Sequence, residues 1–247
     1  MKRWLPAGRP RATPAHAVRD YRRMVRRRLR EYPQNRSLAL ARAIGASSMA
    51  EFHDYGMRQV AVLRHHGLSD GMAIYDLGCG CGRTAQALYR SGWKGQYKGA
   101  DVIGELVDEV RRTCPGYSAV VHRPLSIASP DGSLDMLFHW SVFTHLYPEE
   151  GYVYLQDIFR ALKPAGKLVF SFLEMGHPLH ASIFDDNVRH LLTGKRPSQL
   201  NQFLHRDWIA HFARRIGFVD VAFTDGADGA RHPAFGQSLV AMRKPSA

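Results

Sequence analysis

Short apolar runs of strand length alternate with stretches of helical period along most of this chain. Residues 73–77, 96–100, 118–122, 134–139, 167–172, 218–223 and 237–242 have the length and apolar content of strands. Residues 84–90, 103–112, 151–162 and 206–216 carry apolar positions three and four apart and read as helices. Strands that alternate with helices of this size build a mostly parallel sheet with helices on both faces. The last two strands have no helix between them, which predicts an antiparallel edge. Residues 174–204 break the rhythm and read as an insertion.

Two further helices precede the first strand. Residues 48–66 place Met49, Phe52, Val60 and Leu63 on one face, with Gly56 as an interruption. Residues 17–32 place Val18, Tyr21, Val25, Leu29 and Tyr32 on one side, arginines fill most of the rest, and Pro33 ends the pattern. Before them, residues 1–16 hold Pro6, Pro10 and Pro14 and predict a loose arm. The expected division is therefore a basic arm and helix over 1–36 and one domain over 37–247, with a helical lid around 174–204.

Charge follows that division. Residues 1–36 hold twelve Lys and Arg against Asp20 and Glu31, whereas the rest holds 22 basic and 20 acidic side chains. A basic head on a nearly neutral body is not the signature of a uniformly nucleic-acid-binding protein. The helix over 17–32 could make weak contact with RNA or an anionic surface, or could simply pack its apolar stripe on the domain. Three cysteines, at 79, 81 and 114, are too few for a disulfide scaffold or an all-cysteine zinc site. No run of 18 uncharged apolar residues predicts a membrane span. The residues after Met1 lack the apolar core of a secretory signal, so a reducing cytoplasm is the expected location.

The strongest chemical signal is Asp76-Leu77-Gly78-Cys79-Gly80-Cys81-Gly82-Arg83 between the first strand and its helix. Glycines there let the backbone turn tightly and approach a ligand. The spacing is Gly-x-Gly-x-Gly rather than Gly-x-Gly-x-x-Gly, which disfavours a nicotinamide dinucleotide, and no Gly-Lys-Ser/Thr follows for a P-loop. Asp101, 25 residues after Asp76, ends the second strand. A carboxylate at that place can accept both hydroxyls of a ribose, or cap the next helix.

The chain resembles the class I S-adenosylmethionine-dependent methyltransferases over about residues 50–243. The resemblance rests on Asp76 to Gly82, on Gly99-Ala100-Asp101, on Pro130 to Asp135 and on Phe159 to Leu168, with Ala165 where glycine is common. It implies a Rossmann-like, open, mostly parallel seven-stranded sheet with a final antiparallel strand, and S-adenosylmethionine as cofactor. It also implies Gly78 and Gly80 beside the methionyl part, with Cys79 between them, Asp76 orienting the turn, Asp101 on the ribose and Val102 against adenine. The adenine-side segment would include Arg123 and Leu125, with no acid among them. His139, Trp140 and Ser141 would pass the reactive end of the cofactor.

The acceptor side is less legible. His139, or Glu174 at the end of the fifth strand, could serve as a base for an oxygen nucleophile. Phe52, Tyr55, Phe143 and Met175 could line an apolar acceptor pocket beneath the lid. His145 resembles a structural histidine of the family. The insertion's histidines and aspartates lack a compact ligand spacing, so no metal is expected. Ser141-Val142-Phe143-Thr144 stands where nucleobase amino-methylating relatives often carry Asn/Asp-Pro-Pro-aromatic. The expected acceptor is a small organic molecule, with RNA or another macromolecule as the alternative.

Overall fold

The computed structural model describes residues 15–195, 199–226 and 236–246. Seven strands form one sheet in the order β3-β2-β1-β4-β5-β7-β6. They are β1 (Ala73–Leu77), β2 (Gln96–Asp101), β3 (Ser118–Val121), β4 (Leu134–His139), β5 (Leu162–Phe172), β6 (Val219–Thr224) and β7 (Ser238–Arg243). The first five pair in parallel, and β7 runs antiparallel to both neighbours. The antiparallel strand is thus not the edge itself: β7 slots between β5 and β6, and β6 is left outermost.

Eight helices accompany the sheet among the described residues: α1 (Ala15–Glu31), α2 (Arg36–Ala43), α3 (Met49–His65), α4 (Arg83–Arg90), α5 (Gly104–Thr113), α6 (Pro148–Ala161), α7 (Pro178–Leu192) and α8 (Arg206–Ile216). On one face of the sheet Leu155 and Ile158 of α6 pack with Ile209 and Ala213 of α8 over Leu137, Leu168 and Phe170. On the other, Val60 and Leu63 of α3, Leu88 of α4 and Val107 of α5 cover Ile74, Met136 and Phe138. None of these helices is long and apolar enough to cross a membrane.

Two local readings change. Helix α3 runs unbroken through Gly56, whose missing Cβ would otherwise lie 2.6 Å from the Arg83 carbonyl oxygen. Glycine here allows α3 and α4 to approach closely; it does not interrupt the helix. The short helix α2 was invisible as a pattern because four of its eight residues are buried on more than one side. Its Asn35 cap accepts the Leu38 amide at 3.0 Å. Buried Glu109 of α5 ties it down, accepting Ser37 Oγ at 2.7 Å and Arg112 Nη2 at 2.6 Å.

Helix α1 is docked on the domain. Val25 is fully buried in a third cluster with Leu40, Phe52 and Leu106, and Val18, Tyr21 and Leu29 pack against it. The apolar stripe of α1 faces inward, while Arg19, Arg23, Arg26 and Arg30 remain exposed.

The first residues of β5 carry local strain. Ala165 is exposed and sits at φ 61°, in the left-handed region. A Cβ there costs about 1–2 kcal/mol, partly offset by the flexibility glycine adds to the unfolded chain. We expect Ala165→Gly to stabilise the protein by about 0.5–1 kcal/mol. Thermal or urea unfolding of the two proteins measures the difference, and a destabilised variant would contradict the strain.

Candidate active site

The site grows from the carboxyl end of β1. Gly78, Gly80 and Gly82 take φ values of 71°, 54° and 88°, so the chain turns through left-handed conformations that side chains resist. At Gly78 a Cβ would also lie 2.4 Å from Val142 Cγ2. The amides of Gly78 and Cys79 both donate to the Ala100 carbonyl, at 2.8 and 3.0 Å, which sews the turn to the end of β2. Asp101 completes the join: its Oδ2 accepts the Gly80 amide at 3.0 Å and its Oδ1 the Ile103 amide at 2.9 Å.

Burial raises both carboxyl groups at this edge. Asp76 is pushed to about 8 by burial, against the Tyr97 hydroxyl that donates to it at 2.7 Å, and the nearby Asp101 charge adds to the rise. Burial lifts Asp101 to about 6 in spite of its backbone hydrogen bonds. The turn thiols are buried as well, and Cys81 is pushed up to about 12.

Above the turn lies a cavity of about 650 Å³. Asp76, Gly78, Cys79, Gly80, Asp101, Val102, Trp140, Ser141 and Tyr55 are on its wall. Ser141, at φ 58°, is held by a chain of bonds that the sequence did not reveal. Its amide donates to Ser171 Oγ at 2.8 Å, Ser171 donates to Gln237 Oε1 at 2.7 Å, and Gln237 Nε2 donates to Ser141 Oγ at 2.8 Å. Trp140 Nε1 donates to Thr84 Oγ1 at 3.1 Å.

Other expected site residues lie elsewhere. His139 is fully buried, its ring 4.1 Å from that of Phe143 and 4.7 Å from that of Phe170, and it does not line the cavity. Among the described residues neither of its ring nitrogens has a partner, and burial drops its pKa to about 3. A ring stacked inside the sheet core cannot take a proton from a ligand in the cavity. Glu174 is likewise off the wall: Arg206 donates to both its oxygens, at 2.8 and 2.6 Å, and Ser238 donates to one. These partners hold its pKa below the ordinary carboxylate value despite partial burial, and fasten α8 and β7 to the end of β5. Phe52 and Phe143 are buried core residues, Met175 points to solvent, and neither exposed Arg123 nor half-buried Leu125 reaches the cavity.

Residues that pattern reading did not assign take their places. Tyr21, Met24, Arg27 and Arg28 of α1, Arg42 of α2, Arg83, His122 and His145 all face the cavity. Their only sequence signal was position: arginines on an amphipathic helix look like a solvated face until the helix is docked. Among the described residues no three His, Cys, Asp or Glu side chains converge as a metal site would require.

Residues 74–166 match the family model described as a methyltransferase domain. By this match and by its fold the chain is similar to the class I S-adenosylmethionine-dependent methyltransferases. A curated relative, the arsenite methyltransferase of Aquipseudomonas alcaligenes, is 30% identical over 166 residues, 62% of this chain and 46% of that protein. The matched stretch therefore spans about half the relative's length. Two solved structures share the fold. Magnesium protoporphyrin IX methyltransferase from Synechocystis, with S-adenosylhomocysteine bound, superposes with a TM-score of 0.62 at 14% identity, covering 94% of this chain and 100% of that one. A putative methyltransferase of Haloferax volcanii in complex with the activator Trm112 gives 0.63 at 19% identity, over 90% and 98% of the two chains.

The placement of His139 leads to a stability test. Its two unpartnered nitrogens cost about 1–3 kcal/mol of desolvation, which an apolar side chain would not incur. His139→Leu should be more stable than the native protein at pH 7.5 by about 1 kcal/mol. The unfolded chain takes up a proton near its ordinary value of 6.5 that the folded core refuses until about pH 3. The native protein therefore loses stability as pH falls through that window, and the advantage of the variant should widen at pH 5. Denaturant unfolding at both pH values reads the difference; a gap that narrows in acid would contradict it.

Proposed function

We propose that the chain methylates a small organic acceptor at oxygen, with S-adenosylmethionine as donor. The observation that carries the reading is the join between the glycine turn and Asp101, made by the Gly80 amide at the floor of the cavity. With both oxygens oriented by backbone amides, Asp101 keeps lone pairs for two ribose hydroxyls. Gly78 and Gly80 leave room for the methionyl chain, and Val102 packs beside the base. Arg83 stands next to the turn with its Nε buried and without a partner among the described residues, suited to a carboxylate. Asp76, held up near 8 while the site is free of cations, ionises beside an ammonium. The bound cofactor supplies an electrophilic methyl group on a sulfonium.

A small acceptor is favoured by the way the cavity is covered. Tyr21 and Met24 of α1 and Ile183 of α7 contribute to its wall together with Leu146, Tyr154 and Leu173. An oxygen acceptor must give up its proton, and His145 is the best-prepared group on that side. Its Nδ1 lies 2.6 Å from the Leu200 carbonyl oxygen, which can only accept, so Nδ1 carries the proton and Nε2 the lone pair. Burial lowers its pKa, which keeps the ring neutral at pH 7 and able to receive a proton. The second reading, a macromolecular acceptor such as RNA, draws on the outward arginines of α1.

S-adenosylhomocysteine should bind the purified protein, and Asp101→Ala should weaken it by about 1.5–3 kcal/mol through lost charge-assisted bonds. Calorimetric titration tests this; unchanged affinity would remove Asp101 from the ribose role, and binding of NAD in its place would remove the cofactor. His145→Ala should slow methyl transfer about 10²–10⁴-fold while S-adenosylhomocysteine affinity stays within about threefold. Release of S-adenosylhomocysteine with an acceptor found by screening phenols and organic acids gives the rate. Full activity in the variant would exclude His145 as the base.

A further inference from the structure

The cavity wall holds more positive charge than the cofactor reading uses. Arg42 ends α2 with its guanidinium carbon 4.8 Å from the centre of the Tyr32 ring, a cation–π contact that holds the side chain in place. Its Nε is buried without a partner, and no carboxylate pairs with it among the described residues. Arg28 faces the same cavity from α1; Glu31 takes its Nη1 at 2.6 Å, while its Nε too is buried without a partner among the described residues. Arg27 adds a third guanidinium and shares Glu31 at 3.6 Å.

The carboxyl groups on the wall are committed elsewhere. Asp101 holds the turn, Asp76 accepts from Tyr97, and Glu51 accepts the Ser47 amide at 2.5 Å. S-adenosylmethionine is itself net cationic, so loading it leaves the cavity still short of negative charge. A guanidinium N–H buried without an acceptor costs about 1–3 kcal/mol, and an oxyanion in fork geometry is the group that removes this penalty best.

We propose that Arg42, with Arg28 and Arg27, forms an oxyanion subsite for the methyl acceptor. The acceptor is then a small organic acid, with a carboxylate or phosphate on an apolar body. The arginines take the anionic end, while Tyr21, Met24, Leu146 and Leu173 surround the rest. Helix α1 has two roles by this account: its inward stripe anchors it at Val25, and the next turn presents the anion receptor. The inference rests on the cofactor reading above, because it takes Arg83 as the partner of the cofactor's own carboxylate.

The test titrates the full chain first with S-adenosylhomocysteine, then titrates the saturated protein with benzoate, phenyl phosphate and neutral benzamide. At least one anion should bind, about tenfold or more tightly than benzamide, and should weaken as salt is added. Arg42→Gln and Arg28→Gln should each weaken that anion about tenfold while S-adenosylhomocysteine affinity stays within about threefold. The stronger of the two anions identifies the group as carboxylate or phosphate. Equal binding of benzamide and both anions, or anion binding that survives both substitutions, would overturn the subsite. A variant that loses S-adenosylhomocysteine instead would give Arg42 to the cofactor's carboxylate and also overturn it. Failure of the native protein to bind S-adenosylhomocysteine would sink the cofactor reading itself, a separate and recognisable outcome.

Discussion

Parallel pairing of β1 with β2 places Leu77 opposite Ala100, and so brings Asp76 and Asp101 to the same edge of the sheet. Buried Asp76 beside half-buried Asp101 is an unfavourable pairing of acids, and both are raised above the usual carboxylate range. The arrangement persists because the backbone around it depends on one of them. Asp101 accepts the Gly80 amide and so fixes the position of the glycine turn relative to β2. The entry of α4, the approach of Arg83 to the Ile44 carbonyl at 3.0 Å and the wall formed by Thr84 and Trp140 all follow from where that turn lies. A ligand carrying hydroxyls and positive charge offsets the electrostatic cost of holding the two acids together.

The far side of the cavity is organised by a different principle. There the sheet end is covered by segments that lie outside the alternating core: α1 and α2 from before β1, and α7 from the insertion. Their contact is hydrophobic in origin, through Val25 and Leu40, yet it brings guanidinium groups along with it. The helix that buries Val25 thus also carries Arg27 and Arg28 to the cavity wall. The cavity wall draws on both sides of residue 36, with Tyr21, Met24, Arg27 and Arg28 before it and Arg42 after it.

Seven strands, six of the eight helices, the glycine turn and Asp101 were legible along the chain, because each depends on local period or on glycine spacing. The position of β7 between β5 and β6 was not, since pairing partners are a long-range property. The acceptor side failed for a related reason. His139 sits at the end of β4, where alternation alone cannot tell a cavity-facing ring from a core-facing one, and the structure stacks it between Phe143 and Phe170. Glu174 looked free because its partner Arg206 is 32 residues away in sequence. Arg42, His145 and Gln237 acquire meaning only once distant segments converge on the same wall.

The two cysteines that flank Gly80 give the turn a chemical signature of its own. Cys79 and Cys81 are almost completely shielded, and burial keeps both thiols protonated. Cys81 does not line the cavity, so an alkylating reagent can reach it only after the turn has lifted from Ala100 and Asp101, because the thiolate must form in water before it reacts. The rate of modification at Cys81, read apart from Cys79 and from buried Cys114, therefore counts openings of the glycine turn. A small molecule that clamps the turn shut slows that clock, whatever its identity, so occupancy of the site can be followed by the mass of the peptide that carries Cys81.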